Sequence, residues 1–123
     1  MTRLLLATSA VLCLGLFAPT PAQEPGRQLY VVTHIDLNGP GAAAEGTKLL
    51  QQFVADTRKD TGAVRIELLV EPTRLNHLTM VQIWQTRADF EAHLGAAHTR
   101  AFREKLQPLL GSPFDERLHV LVP

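Results

Sequence analysis

The feature that most constrains this chain is a change of hydrophobic period, made twice. Residues 29–37 (LYVVTHIDL) are rich in β-branched and aromatic side chains and read as a strand. A turn at Asn38-Gly39-Pro40-Gly41 follows. Residues 42–61 then repeat at helical spacing, with Leu49, Leu50, Phe53, Val54 and Thr57 on one face and Lys48, Gln51, Gln52, Asp56 and Lys59 on the other. Gly62 supplies the stop. Residues 63–70 read as a second strand, residues 71–76 as a hairpin-length loop and residues 77–84 as a third strand. Thr86, with Asp89 three residues on, makes a capping-box-like start. The helix it opens runs through Phe90 and Leu94, loosens at Gly95-Ala96-Ala97 and resumes towards Leu106, and Pro108 marks its end. Residues 111–116 are a loop and residues 117–122 a last strand. The order β-α-β-β-α-β predicts an α+β domain of the ferredoxin-like, split βαβ kind.

Ahead of this pattern stands a different one. Met1-Thr2-Arg3 is a short basic start, residues 4–17 are an apolar run, and Thr20 and Ala22 place small residues in a cleavage region. That is the anatomy of a secretory signal peptide, and the run is shorter than the roughly 20 residues a spanning helix needs. Residues 1–22 are therefore read as a signal peptide, 23–28 as a polar, mobile lead-in and 29–123 as one domain, exported to the periplasm or secreted. The alternative is an uncleaved N-terminal anchor. The single Cys, Cys13, lies inside the run behind Leu12, where a lipidation signal wants a small residue, so the exported domain has no thiol or disulfide chemistry. Twelve Lys+Arg balance 12 Asp+Glu, which leaves no basic field for nucleic acid. Once the signal is cleaved nothing holds the domain to a membrane.

The strands alternate, but both faces carry apolar residues. Leu29, Val31, Ile35 and Leu37 oppose Tyr30, Val32, His34 and Asp36. Val64, Ile66, Leu68 and Val70 oppose Arg65, Glu67 and Leu69, while Leu78, Met80 and Trp84 oppose Val81 and Ile83. Two helices cover only one face of such a sheet. A second cover is expected, most simply the same sheet of a second copy across a two-fold axis, giving a homodimer through the sheet face.

Candidate site residues concentrate between His77 and Arg103, which hold the only Trp and three of the five His. His34 and His93 are the candidate acid–base groups, because imidazole titrates near neutrality. His34 is equally a hydrogen-bonded pocket residue, and His93 equally a residue at the boundary of the core. His98 follows the small-residue break. Trp84, Met80, Phe90 and Phe102 offer an apolar wall for a flat ring. A metal is not expected: His93 and His98 are five apart, not the i, i+4 spacing that puts two ligands on one helix face, and no Cys or H-E-x-x-H motif joins them. No G-x-S-x-G elbow, Gly-rich phosphate loop or dinucleotide fingerprint is present, so no cofactor is expected either.

Trp84, Thr86, Phe90, His93 and His98 meet the pattern W-x-[ST]-x-x-x-[FL]-x-x-H-x-x-x-x-H. In this the chain resembles the antibiotic biosynthesis monooxygenase (ABM) domain, quinol-monooxygenase-like, over residues 29 to about 122. The resemblance implies a dimeric α/β barrel of two ferredoxin-like subunits packed sheet to sheet. It also implies cofactor-independent oxygenation of a small electron-rich aromatic, a quinol or anthrone, by O2. In such chemistry the deprotonated substrate donates electrons to O2, and the protein supplies a base, a dry pocket and stabilisation of the anion. His34 and His93 would be catalytic, and Trp84, His98, Met80, Phe90 and Phe102 would hold the substrate. Two departures stand out. Gln82 replaces a Glu common in the family, and His34, His93 and Arg103 replace the Asn, Trp and His of the haem-degrading branch. The alternative function is a non-catalytic, dimeric, small-molecule-binding or stress-related protein of the same fold.

Overall fold

The computed structural model describes residues 27–123; the signal-peptide reading and most of the lead-in fall outside them. The elements are β1 (Leu29–Asp36), α1 (Gly39–Thr57), β2 (Ala63–Glu71), β3 (Arg74–Trp84), α2 (Arg87–Gly95), α3 (Ala97–Leu106), a 3-10 turn (Gln107–Leu109) and β4 (Asp115–His119). The strands form one antiparallel sheet in the order β2-β3-β1-β4. This is the ferredoxin-like α+β fold expected from the alternation of periods. Among the described residues no helix is long and apolar enough to cross a membrane.

The boundaries move where local chemistry outweighs pattern. α1 begins at Gly39 and not at Ala42, because Pro40 sits in its first turn, where the missing N–H leaves nothing unpaired and φ is already helical. It ends at Thr57, and residues 58–62 become a turn that carries the chain to the sheet. β3 starts at Arg74 because Pro72-Thr73 alone closes the hairpin, with Arg74 paired to Glu71 at 2.7 Å. β4 stops at His119. Its last register pair is His119 with Tyr30, so Val120 faces Leu29, the first residue of β1, and residues 121–123 run past the start of that strand.

The pleat sorts the sheet into two faces. Leu29, Val31, Ile35, Ile66, Leu78, Met80 and Trp84 point towards the helices. They join Leu50, Phe53 and Val54 of α1, Phe90 of α2, and Phe102 and Leu106 of α3 in one buried core. α1 approaches the end of β1 closely: a Cβ on Gly46 would lie 2.7 Å from the Leu37 side chain. Burying such side chains stabilises each by roughly 1.5–3 kcal/mol before the entropy of ordering is counted.

The other face has no cover among the described residues. Tyr30, Val32, Val81 and Ile83 at its centre are half-buried and Leu69 is 51% exposed. Ion pairs flank this apolar centre, Arg65–Glu67 on β2 and Arg117–Asp115 on β4. The second face is thus an apolar centre with a charged rim, more polar than the strand sequences alone indicate.

Candidate functional site

The site is built from the end of β3 outwards. The pleat turns Gln82 and Trp84 to the helix side, and both are buried. The Trp84 indole N–H donates to Gln82 Oε1 at 3.0 Å, which fixes the ring and satisfies its only polar atom. The chain leaves the sheet at Gln85 and enters α2 through Thr86, whose Oγ1 accepts the Asp89 N–H at 3.1 Å while the hydroxyl donates to Asp89 Oδ2 at 2.7 Å. That cap orients α2 so that Phe90 and His93 form its buried face.

His93 is 3% exposed. Its ring centre lies 4.8 Å from Trp84, 5.5 Å from Phe53 and 6.2 Å from Phe90. The break expected at Gly95-Ala96-Ala97 is sharp, with Ala96 extended at φ −66° and ψ 147°, and α3 starts in a new direction. The redirection brings His98 back over His93, ring centres 5.6 Å apart, and stacks Phe102 on Phe53 at 3.8 Å.

Asp60 closes the cluster from the turn after α1. Its Oδ2 lies 2.7 Å from His93 Nδ1 and 3.1 Å from His98 Nε2. Thr99 Oγ1 approaches His93 Nδ1 at 3.3 Å. The turn is pinned by Gly62, whose φ of 79° suits glycine and whose carbonyl accepts the Gln85 N–H at 2.8 Å. A Cβ on Gly62 would fall 2.2 Å from Asp89 Cγ, so glycine is required here by space as well as by φ. Burial pushes the His93 pKa below its ordinary value of 6.5, and the hydrogen bond and charge of Asp60 oppose that shift without cancelling it. A cleft of about 250 Å³, lined by Asp60, Thr61, Asp89, Ala92, His93 and Ala96, opens on this group.

His34 is elsewhere. It lies on the uncovered face, its Nδ1 3.3 Å from Thr79 Oγ1, in a cleft of about 370 Å³ shared with Asp36, Glu71, Arg74 and His77. His77 is held by Asp36 at 2.6 Å, and Asp36 also accepts the Ser112 hydroxyl at 2.8 Å. The sheet separates His34 from Trp84 and His93, so one substrate cannot lie against Trp84 and use His34. Trp84, Phe90, His93, His98 and Phe102 do come together. Met80 shares their face of the sheet as core. Trp84, Met80, Phe90 and Phe102 are 0, 0, 2 and 4% exposed and pack as part of the core.

Asp60 and Thr99 are the residues that sequence reasoning missed. Thr99 carries no local signal, and Asp60 sits in Lys59-Asp60-Thr61-Gly62, which reads only as the end of a helix. A five-residue spacing keeps two His apart only on one continuous helix, and the break at Ala96 interrupts that helix. The donor atoms of Asp60, His93 and His98 all lie within 4.8 Å of one another, and these three are the residues here that could hold a metal.

The fold defines a ferredoxin-like α+β protein with a buried histidine–carboxylate pair beside a tryptophan. The family model for antibiotic biosynthesis monooxygenase matches residues 29–105, and the chain belongs to that family. No curated protein matches it. Among solved structures it is similar to the PA3566 protein of Pseudomonas aeruginosa (TM-score 0.73, 20% identity, 82% of this chain and 100% of that one). It is similar also to the Rv0793 protein of Mycobacterium tuberculosis (TM-score 0.69, 21% identity, 78% and 94%). A third similar structure is a mutant of SnoaB, a cofactor-independent oxygenase from Streptomyces nogalater (TM-score 0.67, 19% identity, 76% and 91%). At these identities the likeness is one of fold.

Proposed function

We propose that this protein is a monooxygenase that oxidises a small electron-rich aromatic, of quinol or anthrone type, with O2 and without a cofactor. The observation that carries the proposal is His93: a buried imidazole, hydrogen-bonded to Asp60, against the Trp84 ring and beside a cleft. Asp60 accepts from Nδ1–H and so leaves Nε2 as the proton acceptor, the arrangement that orients a histidine base. Deprotonation makes the substrate the electron donor. One oxygen atom of O2 enters the product, the other leaves as water, and the substrate, which ends at the quinone level, supplies all four electrons, so no outside reductant is needed. Family membership and the fold shared with SnoaB support this reading.

The same proposal takes the protein as exported, on the pattern of residues 1–22, and as a homodimer through the uncovered sheet face, on its apolar centre. It is tested by O2 uptake with a panel of quinols and anthrones. Replacing His93 with Ala is expected to cut turnover on the order of 10²-fold, and Asp60→Asn is expected to follow it. Wild-type rates in both variants would refute the assignment.

One observation favours a second reading, a binding protein without turnover. An apolar cleft of about 570 Å³, lined by Pro40, Ala43, Ala44, Thr47, Lys48, Val70 and Leu75, could hold such a ligand and has no histidine or carboxylate in its lining. A melting-temperature shift that saturates with an aromatic ligand while no product forms would establish that reading.

A further inference from the structure

We propose that Asp60, His93 and His98 form a binding site for one divalent transition-metal ion of the zinc type. This goes beyond the proposed oxygenation and does not depend on it. The donor set is two imidazole nitrogens and one carboxylate oxygen, which suits a borderline ion such as Zn²⁺ or Co²⁺ better than Ca²⁺ or Mg²⁺. Each ligand comes from a different element: the turn after α1, α2 and α3. The three therefore converge through the fold and not by helical spacing.

The distances fit an ion with little adjustment. A tetrahedral ion about 2.1 Å from each donor holds its ligands about 3.4 Å apart. Asp60 Oδ2 stands 2.7 Å from His93 Nδ1 and 3.1 Å from His98 Nε2, and all three donors lie within 4.8 Å. Reaching that spacing opens the contacts of Asp60 by about 0.7 Å to His93 and about 0.3 Å to His98, and Asp60, on a turn, is the residue placed to move.

A plain hydrogen-bond cluster accounts for Asp60 with His93 but not for His98. His98 Nε2 is buried and makes no hydrogen bond, although Asp60 Oδ2 is near, because the approach lacks hydrogen-bond geometry. A buried nitrogen left unpaired beside a carboxylate costs about 1–3 kcal/mol, and a metal ion between them removes that cost. The surroundings complete the site. Phe53 lies 5.5 Å from the His93 ring and 6.0 Å from the His98 ring, and Thr99 Oγ1 lies 3.3 Å from His93 Nδ1. The cleft at Asp60 and His93 supplies an entry path and room for a water as fourth ligand. An ion on His93 Nδ1 leaves Nε2 protonated, so metal binding and proton acceptance by His93 exclude one another.

The test is titration of the full protein, stripped with chelator, with ZnCl2 at pH 7.5 by calorimetry, and with Co²⁺ followed by its visible absorption. Neither readout involves a substrate, so a protein that binds the ion but consumes no O2 upholds this inference while refuting the oxygenase. The expected result is one ion per chain, a ligand-field band for Co²⁺ and a higher melting temperature with Zn²⁺. His98→Ala, on a partly exposed helix position, and Asp60→Asn should each weaken binding at least about tenfold, while His77→Ala on the opposite face should not. The inference is overturned if no binding occurs up to millimolar Zn²⁺. It is equally overturned if binding survives both site variants or is lost only with His77→Ala.

Discussion

The two faces of the sheet hold the same kinds of side chain in opposite settings. Under the helices, His93 is enclosed by Trp84, Phe53 and Phe90, and a single carboxylate reaches it. On the uncovered face, His34 and His77 lie in an open cleft among Asp36, Glu71 and Arg74. Enclosure strengthens every polar contact of His93 and penalises its charged form. Exposure lets water screen the contacts of His34. The lesson is that a histidine's place in the pleat, more than its neighbours in sequence, decides what chemistry it can support.

The largest effect that would sharpen this contrast is on stability. Trp84→Ala removes a fully buried ring from the covered face and is expected to destabilise by about 3–5 kcal/mol. Val81→Ala, half-buried on the uncovered face, should destabilise by much less in the same urea titration. A pair of equal losses would mean that both faces are cores. Next comes the turn that delivers Asp60. Gly62→Ala forces a Cβ into Asp89 at a positive φ and should destabilise by about 1–3 kcal/mol. It should also weaken Zn²⁺ binding, because Asp60 moves with the turn.

A smaller effect follows from pH. The His93 pKa is lowered by burial, so the unfolded chain takes up a proton before the folded one. In chelator-treated protein the contribution is fully present above pH 6.5, the ordinary value, and is lost as pH falls from there towards the lowered folded value. His93→Gln should flatten this part of the melting-temperature profile. An unchanged slope in that variant would show that the enclosure of His93 is weaker than its burial indicates. The smallest effect belongs to the rim of the uncovered face: Glu67→Gln, which breaks an exposed pair with Arg65, should change stability by less than about 0.5 kcal/mol.

Most of the fold was legible in the sequence, because each element carries its own period and its own stop. Tyr30, Val32 and His34 alternate with Leu29 and Val31, and that alternation already places His34 opposite Leu29. The pairing of Leu29 with Trp84 is a matter of register between distant strands, and without it the separation of His34 from Trp84 cannot be read. The break at Gly95-Ala96-Ala97 was also legible, but not its angle, and the angle is what returns His98 to His93. Asp60 could not be found locally at all: it reaches the site only because Gly62 docks the turn against the start of α2. The central charges of the candidate site are thus products of tertiary packing, and the aromatic residues around them are products of pattern.

The central claim is that the chemistry belongs to the covered face. It is tested most directly by O2 uptake with quinols and anthrones, chelator present, comparing wild type, His93→Ala and His34→Ala. Uptake is expected from wild type and from His34→Ala, with a loss on the order of 10²-fold in His93→Ala. Full uptake by His93→Ala together with loss in His34→Ala would contradict it and move the reaction to the uncovered face.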